Sequence, residues 1–308
     1  MRILLHAPEG EVRDWRAALV AALPEAEVRV WAPGLDWRAD YAALWHPPLG
    51  ALQGQGALKA IFNLGAGAEA LLAHAALPPE VPVVRIEDAG MAQQMIEYVS
   101  WAVLRYFRRL DRYAAQQSRA EWRVHQPLRH DDFCVGVMGL GVLGAPVAQA
   151  LERLGFPVCG WSRGPKDIAG VRCFAGQAAL DAFLAASRAL VCMLPHTAAT
   201  AGILNRRALA KLPPGAYVIN VARGALLAEE DLSAMLDAGH IAGATLDVFR
   251  DEPLPASHPY WRHPKIFITP HASAITLVED AVAQVADKIR RLERGESVTG
   301  IVDRARGY

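Results

Sequence analysis

The chain has 308 residues, roughly the length of two average domains, and 53% of them are hydrophobic, which argues against a disordered chain. Its 32 lysines and arginines balance 32 aspartates and glutamates, so it lacks the basic excess typical of proteins that bind nucleic acid or membrane surfaces. No apolar stretch reaches the roughly 18 residues of a membrane span. The four cysteines form no CxxC pair, which indicates reduced thiols in a cytoplasmic protein and no metal site.

Short apolar runs alternate with longer stretches of helical periodicity, which predicts parallel sheets covered by helices. In the first part of the chain a helix is predicted over 11–23, and the strands are predicted at 2–7, 28–32, 41–45, 58–65 and 81–86. A long helix is predicted over 91–117, and a polar, aperiodic stretch follows it over 121–132.

A second series of strands and helices begins after this polar stretch. Its strands are predicted at 133–138, 157–162, 188–194, 216–221, 244–249 and 265–270. Its helices are predicted at 145–155, 229–239 and 276–294. The two series predict two α/β domains, with a glycine-rich loop opening the second.

This glycine-rich loop is a GxGxxG motif formed by Gly139, Gly141 and Gly144, with Val142 and Leu143 between the last two glycines. A predicted strand precedes it and an amphipathic helix follows, which is the context that dinucleotide binding requires. The first glycine permits a tight turn, the second lets the backbone approach a pyrophosphate, and the third lets helix and strand pack closely. The phosphates are expected at the helix N-terminus, where unpaired N–H groups attract anions.

The end of the next predicted strand indicates which dinucleotide binds. NAD sites usually carry an acidic residue here, about 20 residues after the motif, but this chain has Ser162, Arg163 and Lys166. The missing carboxylate removes a repulsion toward a 2′-phosphate, Arg163 can form a charge-assisted fork with it, and Ser162 can donate a hydrogen bond. The pattern favours NADP(H), with NAD(H) as a weaker alternative. A solvated loop of basic residues is the other interpretation.

Three polar residues follow predicted strands of the second series, namely Arg223, Glu252 and His271. In open α/β sheets the ligand binds beyond the carboxyl ends of the strands, so all three are expected near the cofactor. Arg223 can bind the carboxylate of a 2-oxo acid and polarise its carbonyl. His271 can protonate the oxygen after hydride transfer, and Glu252 can orient the imidazole and favour its charged form.

Together these segments resemble the D-isomer-specific 2-hydroxyacid dehydrogenases, from about Phe133 to Ser273. The resemblance implies two doubly wound parallel-sheet domains, with a Rossmann-type cofactor domain (99–274) inserted in a flavodoxin-like substrate domain (1–98 with 275–308). It also implies an active site in the cleft between them and Arg223, Glu252 and His271 as the catalytic set. Further cofactor contacts are implied at Leu194, Pro195, Thr200, Val221, Ala222 and Asp247, the last to the nicotinamide carboxamide.

In the first domain the sequence 63–69 resembles the substrate loop of the family, whose backbone N–H groups bind the substrate carboxylate. The implied substrate-binding residues are Leu64, Gly65, Ala66 and Gly67, together with Trp45 and Arg223. Many members of the family continue with Gly-Val-Asp, whereas this chain has Ala68-Glu69. The segments 45–48, 91–98 and 302–308 narrow the resemblance to a bacterial subgroup that reduces glyoxylate and hydroxypyruvate and prefers NADPH.

The expected activity is therefore NADPH-dependent reduction of a small 2-oxo acid by a homodimer, without nucleic acid, membrane or metal. Two other functions stay open: a dinucleotide-sensing binding protein on the same scaffold, and an NAD-dependent dehydrogenase of bulkier hydroxy acids. The arginine-rich segment 105–112 fits a solvated helix face or a subunit contact better than a nucleic-acid patch.

Overall fold

A computed structural model describes all 308 residues, and the chain divides into two compact units. The first unit comprises Met1–Met91 together with Thr276–Tyr308, and the second comprises Ala92–Ile275. Each unit has one parallel β-sheet, of five strands in the first unit and seven in the second. The α/β fold class predicted from the sequence is confirmed.

The first unit has a five-stranded sheet whose neighbouring strands all run parallel, in the order β2-β1-β3-β4-β5. Its strands are β1 (Arg2–His6), β2 (Glu27–Val30), β3 (Tyr41–Leu44), β4 (Ala60–Asn63) and β5 (Val83–Arg85). Its first helices are α1 (Val12–Ala22) and α2 (Glu69–Leu72). Both β3 and β4 are buried at every position, as expected for inner strands of a covered parallel sheet.

The second unit has a seven-stranded parallel sheet and most of the helices. Its helices are α3 (Met91–Phe107, whose first residue belongs to the first unit), α4 (Leu110–Gln117), α5 (Gly144–Arg153), α6 (Leu180–Ala186), α7 (Arg206–Leu209) and α8 (Glu229–Asp237). Its strands are β6 (Val135–Met138), β7 (Val158–Ser162), β8 (Val171–Ala175), β9 (Ala189–Cys192), β10 (Ala216–Asn220), β11 (Ile241–Leu246) and β12 (Ile266–Ile268). The chain then returns to the first unit through α9 (Val278–Glu293), which packs on α1.

The order of the larger sheet is β12-β11-β10-β9-β6-β7-β8, so the chain reverses its direction of travel between β6 and β9. Helices α3 and α5 pack on one face of this sheet, and α6, α7 and α8 pack on the other. In open α/β sheets, ligands bind beyond the carboxyl ends of the strands at such a reversal. The loops after β6 and β9 both lie at this edge.

Beyond the short helices α2, α6 and α7, which were not predicted, the structure differs from the predicted elements in three notable places. The helix predicted over 91–117 ends at Phe107, because Arg109 adopts a left-handed φ of 57° and α4 starts at the next residue. Strand β8 was not predicted; it lies at the edge of the sheet and none of its residues is buried. Strand β11 lies three residues earlier than predicted, because the chain turns away from the sheet at Asp247.

Three findings concern the membrane, metal and redox expectations. None of the helices combines the length and the hydropathy that crossing a membrane requires. No group of three or more His, Cys, Asp or Glu side chains is arranged to hold a metal ion. All four cysteines are free, and burial raises the pKa of the Cys192 thiol to about 12.

Candidate active site

The predicted cofactor loop follows β6 and enters α5, and its three glycines have different surroundings. Gly139 has a φ of +113°, and a Cβ there would lie 2.6 Å from the carbonyl oxygen of Met193. A Cβ on Gly144 would lie 1.8 Å from the carbonyl oxygen of Gly139, so the helix and the strand could not pack as they do. A Cβ on Gly141, in contrast, would meet nothing within 4 Å. Gly141 is therefore the position where the backbone is open to a ligand.

The start of α5 also fits an anionic ligand. Its N-cap residue Leu143 makes no side-chain hydrogen bond to the helix, so the first-turn N–H groups lack a side-chain acceptor. Val142 is 44% exposed beside them. Unpaired N–H groups at a helix N-terminus attract phosphate. The open Gly141 and the uncapped helix start are the two features that a bound pyrophosphate requires.

The residues that were predicted to select the dinucleotide lie at the end of β7. Ser162 is 8% exposed, and its hydroxyl donates a hydrogen bond of 2.7 Å to the carbonyl oxygen of Gly164. Its single proton is therefore used within the loop, which differs from the predicted hydrogen bond to a 2′-phosphate. Arg163 and Lys166 are both exposed, so the two cations of this loop reach solvent.

The turn after β9 is closed by its own hydroxyl groups. Thr200 donates from Oγ1 to the carbonyl oxygen of Pro195 at 2.7 Å and accepts the backbone N–H of Thr197 at 2.9 Å. Leu194 is buried at the start of this turn. The turn thus lies beside the glycine loop, because Gly139 approaches the backbone of Met193 directly.

Arg223 is held by the polar end of β10. The side chain of Asn220 is fully buried and donates to the carbonyl oxygen of Arg223 at 3.0 Å, and it accepts the backbone N–H of Ala222 at 3.2 Å. Val221 and Ala222 are buried in between. A Cβ on Gly224 would lie 1.9 Å from the carbonyl carbon of Phe249, so the segment after Arg223 packs directly on the backbone that leads to Glu252.

Glu252 and His271 form a hydrogen-bonded pair. One carboxylate oxygen of Glu252 lies 2.7 Å from Nδ1 of His271, and the other accepts the backbone N–H of Phe249 at 2.8 Å. The side chains of His271 and Glu252 are 44% and 34% exposed, so the pair faces solvent. Because a carboxylate only accepts, Nδ1 of His271 carries a proton, and Nε2 remains to act on a substrate.

Asp247 lies beneath this pair and is fully buried. Its carboxylate accepts three hydrogen bonds, from the Thr269 hydroxyl at 2.6 Å, the backbone N–H of Ala272 at 2.8 Å and the backbone N–H of Ser273 at 2.9 Å. The contact to a nicotinamide carboxamide that the resemblance implies for Asp247 remains a prediction. The structure adds that this carboxylate is bound to the loop that carries His271.

In the first unit, the predicted substrate loop follows β4. The Asn63 amide donates to the carbonyl oxygens of Gly65, at 2.7 Å, and Gly67, at 3.0 Å, which turns both carbonyls toward the protein. A Cβ on Gly65 would lie 1.5 Å from Cζ3 of Trp45, so the indole ring lies directly on this loop. Leu64 is buried, whereas Ala66 is partly exposed.

Several residues that hold the site in place were not predicted from the sequence. Asn220 and Asn63 were not predicted, although each is an isolated polar residue at the end of an apolar strand, which is a usable signal. Tyr98, which is hydrogen-bonded to Thr269, was not predicted either. The two residues lie 171 positions apart, so no local pattern could have paired them.

Comparison with known proteins identifies the family. Residues 100–273 match the family model for D-isomer specific 2-hydroxyacid dehydrogenases, NAD binding domain. The glyoxylate/hydroxypyruvate reductase A of Serratia proteamaculans (strain 568) is 50% identical over 313 aligned residues, covering 100% of both chains. The chain belongs to the D-isomer specific 2-hydroxyacid dehydrogenase family.

Solved structures of this family have the same fold. A D-isomer specific 2-hydroxyacid dehydrogenase from Xanthobacter autotrophicus Py2, in complex with NADPH and MES, is 43% identical with a TM-score of 0.95, covering 100% of this chain and 99% of that one. An NADPH-dependent glyoxylate/hydroxypyruvate reductase from Sinorhizobium meliloti, in complex with NADP and sulfate, is 34% identical with a TM-score of 0.94 and the same coverage. The family resemblance seen in the sequence is confirmed.

Proposed function

We propose that this dehydrogenase reduces small 2-oxo acids with NADPH, converting glyoxylate to glycolate and hydroxypyruvate to D-glycerate. The observation that carries the proposal is the Glu252–His271 pair, 2.7 Å apart, in a segment that packs against the one carrying Arg223. This arrangement would give a proton donor, His271, and a cation, Arg223, at one edge of the sheet. The names of the Serratia and Sinorhizobium relatives support the choice of substrates.

The cofactor would be held by the edge of the sheet where β6 and β7 end. The backbone at Gly141 and the N-terminus of α5 would bind the pyrophosphate, and the exposed Arg163 and Lys166 would bind the 2′-phosphate. When bound, NADPH supplies the hydride that reduces the 2-oxo carbon. The two relatives whose structures contain NADPH or NADP support this preference over NAD.

The protein's own part in the reaction is to orient the substrate and to deliver a proton. Arg223 binds the substrate carboxylate and polarises the neighbouring carbonyl, since a guanidinium stays charged at every working pH. As negative charge develops on the carbonyl oxygen, His271 transfers a proton to it from Nε2. Glu252 fixes the ring through Nδ1 and stabilises the imidazolium before transfer.

The substrate loop of the first unit contributes backbone donors. Because Asn63 holds the carbonyls of Gly65 and Gly67 inward, N–H groups of this loop are oriented away from Asn63 and can bind a carboxylate. Trp45 covers Gly65 and provides an apolar wall. A wall made of this one rigid, bulky ring would favour small substrates.

The proposal is tested by following NADPH oxidation with glyoxylate, hydroxypyruvate and pyruvate, and by repeating each assay with NADH. We expect the first two substrates with NADPH to have the highest kcat/KM. Turnover with NADH alone would contradict the role of Arg163 and Lys166. Tight NADPH binding without turnover of any 2-oxo acid would instead indicate a dinucleotide sensor.

The role of His271 is tested by His271→Gln, with His258→Gln as the matched control. His258 also has a carboxylate partner, Glu229 at 3.5 Å, but it lies outside the proposed site. We expect His271→Gln to lower kcat by about 10²-fold or more while NADPH still binds, and His258→Gln to keep turnover. Wild-type kcat in His271→Gln would refute the assignment.

A further inference from the structure

His271 adopts a backbone conformation that residues with a side chain seldom adopt. Its φ is +53°, in the left-handed region that favours glycine. Its N–H donates to the carbonyl oxygens of Asp247, at 2.8 Å, and Thr269, at 3.1 Å. Such a conformation costs free energy and persists only where the surrounding structure enforces it. The residues that enforce it therefore determine where the imidazole points.

The Asp247 carboxylate is the group that enforces the turn. It accepts the N–H groups of Ala272 and Ser273, the two residues that follow His271, through different oxygens. Together with the contact between the Asp247 carbonyl and the His271 N–H, this binds three successive N–H groups to one residue. If the Asp247 carboxylate rotated, the loop would lose two of these hydrogen bonds at once. The orientation of this carboxylate is thus coupled to the position of His271.

The rotation of the Asp247 carboxylate is limited by two hydroxyl groups in series. The Thr269 hydroxyl donates to Oδ1 of Asp247 at 2.6 Å. Because a threonine hydroxyl has a single proton, the Tyr98 hydroxyl must donate in its hydrogen bond to Thr269 Oγ1. Burial raises the pKa of Tyr98, so the phenol keeps its proton throughout the working range. The chain of donors thus runs in one direction, from Tyr98 through Thr269 to Asp247.

Helix α3 supplies the fixed end of this chain of donors. Tyr98 lies in α3 beside Trp101, with ring centroids 5.9 Å apart, and Trp101 packs on Phe267 of β12 at 4.9 Å. The helix that carries Tyr98 is therefore itself packed on the strand that precedes His271. Neither Tyr98 nor Thr269 forms a hydrogen bond with the side chain of Glu252 or His271, so any effect on the reaction must pass through the loop.

We propose that Tyr98 and Thr269 are positioning residues for His271, which they hold in place through the Asp247 carboxylate. This inference rests on the proposed role of His271 as the proton donor. Proton delivery contributes to the transition state and not to substrate binding, so loosening the loop lowers kcat and leaves KM nearly unchanged. Small misplacements of a reacting group have large effects on rate, and we expect a loss on the order of tenfold.

The test compares Thr269→Val, which keeps the shape and removes the hydroxyl, with Thr269→Ser, which keeps the hydroxyl. We expect Thr269→Val to lower kcat about tenfold, with KM for glyoxylate and Kd for NADPH within about twofold of wild type. Thr269→Ser should retain kcat within about threefold. Tyr98→Phe should have an effect in the same direction as Thr269→Val. Because the two hydroxyls act in series, the double variant Tyr98→Phe/Thr269→Val should be no slower than Thr269→Val alone.

A matched control exists in the same sheet. Tyr217 and Thr245 form another tyrosine–threonine hydrogen bond, of 2.8 Å and fully buried, that does not involve Asp247. Tyr217→Phe should lower thermal stability as much as Tyr98→Phe and leave kcat unchanged. A purely structural role for Tyr98 would make the two variants indistinguishable in kcat, which would overturn the proposal.

Other outcomes separate this inference from the proposed function. Full kcat in Thr269→Val, or additive losses in the double variant, would refute the positioning role even if His271→Gln is inactive. Full activity in His271→Gln would refute the proposed function itself. If Thr269→Val does not fold, the positioning role is still tested by comparing kcat of Tyr98→Phe, Thr269→Ser and Tyr217→Phe, because these variants keep most of the buried contacts.

Discussion

At the scale of single residues, the three glycines of the cofactor loop are required for different reasons. Gly139 and Gly144 are required by the protein itself, because a Cβ at either would overlap backbone atoms. Gly141 has free space around it and is required only if a ligand comes close. Substitution of Gly141 therefore separates folding from cofactor binding.

We expect Gly141→Ala to raise the Kd for NADPH by about tenfold or more and to leave Tm within about 1 °C of wild type. No protein atom lies within 4 Å of the added methyl group, whereas a pyrophosphate bound to this backbone would clash with it. Quenching of tryptophan fluorescence on titration with NADPH measures the Kd. Gly144→Ala is the comparison, and it should lose thermal stability. Unchanged NADPH affinity in Gly141→Ala would mean that the pyrophosphate does not bind there.

The choice between dinucleotides is also decided by single residues. Arg163→Ala should lower kcat/KM for NADPH by about tenfold and change the value for NADH little, because only NADPH carries the 2′-phosphate. Arg172→Ala is the control, because it removes an equal charge from an exposed arginine that lies over the ring of Phe174. Equal losses with both dinucleotides would contradict a specific role for Arg163.

The catalytic set Arg223, Glu252 and His271 could be predicted from the sequence because each is a polar residue that follows an apolar run. The structure places Glu252 and His271 in contact and packs the segment after Arg223 on the backbone before Glu252. The hydroxyl of Ser162 could not be assigned from the sequence, because its partner depends on how the loop to Gly164 folds. Tyr98 and Thr269 could not be paired because they meet only in the tertiary structure.

At the scale of elements, the buried inner strands were predicted well and edge features were not. The inner strands β3, β4, β6 and β9 have short, continuous apolar runs bounded by turn residues, and they lie where predicted. Edge strand β8 contains Arg172 and is partly exposed, so its sequence lacks that signal. The break at Arg109 has no glycine or proline to indicate it.

Helix α9 is attached to the first unit by a polar contact whose strength depends on pH. Lys288 is 6% exposed and donates to the Glu87 carboxylate at 3.0 Å, and the Thr299 hydroxyl donates to the same oxygen at 2.6 Å. Burial alone would raise the pKa of Glu87, but the hydrogen bonds from Thr299 and Lys288 outweigh it and lower the pKa. Because the folded state lowers this pKa, the stabilisation is complete above the unfolded pKa of about 4.3 and is lost as pH falls through the folded value.

Glu87→Gln should therefore lower Tm at pH 7 by about 5 °C, because Lys288 would be left buried without its anion. The difference from wild type should shrink as pH falls below the unfolded pKa and through the lower folded pKa of Glu87, beneath which the wild-type carboxyl is also neutral. Circular dichroism melts over this pH range measure both effects. Glu27→Gln, which removes an exposed pair with Arg29, is the control and should leave Tm nearly unchanged. A constant Tm difference at every pH would contradict the ion-pair explanation.

At the scale of the whole molecule, the alternation of apolar runs and helical periodicity predicted parallel α/β sheets, which the structure has. The homodimer remains a prediction from the family resemblance. Trp122 is 100% exposed and Val124 is 82% exposed in the segment after α4, and exposed apolar side chains of this size often mark contact sites.

We expect light scattering to give twice the mass of one chain, and Trp122→Ser to shift the protein toward the monomer at low concentration. Trp261→Ser is the control, because Trp261 is an exposed tryptophan, at 50%, in a different segment. A wild-type protein that stays monomeric at micromolar concentration would contradict the predicted dimer.

The hydrogen bonds beneath His271 also have a consequence for amide hydrogen exchange. Loops usually exchange their amide hydrogens quickly, because these face water. The amides of His271, Ala272 and Ser273 instead all donate to Asp247, which is fully buried. We expect these three amides to exchange as slowly as those of strand β11, although the imidazole of His271 in the same segment is in contact with solvent. Such slow exchange would mean that the proposed proton donor belongs to a segment that opens only when the sheet itself opens.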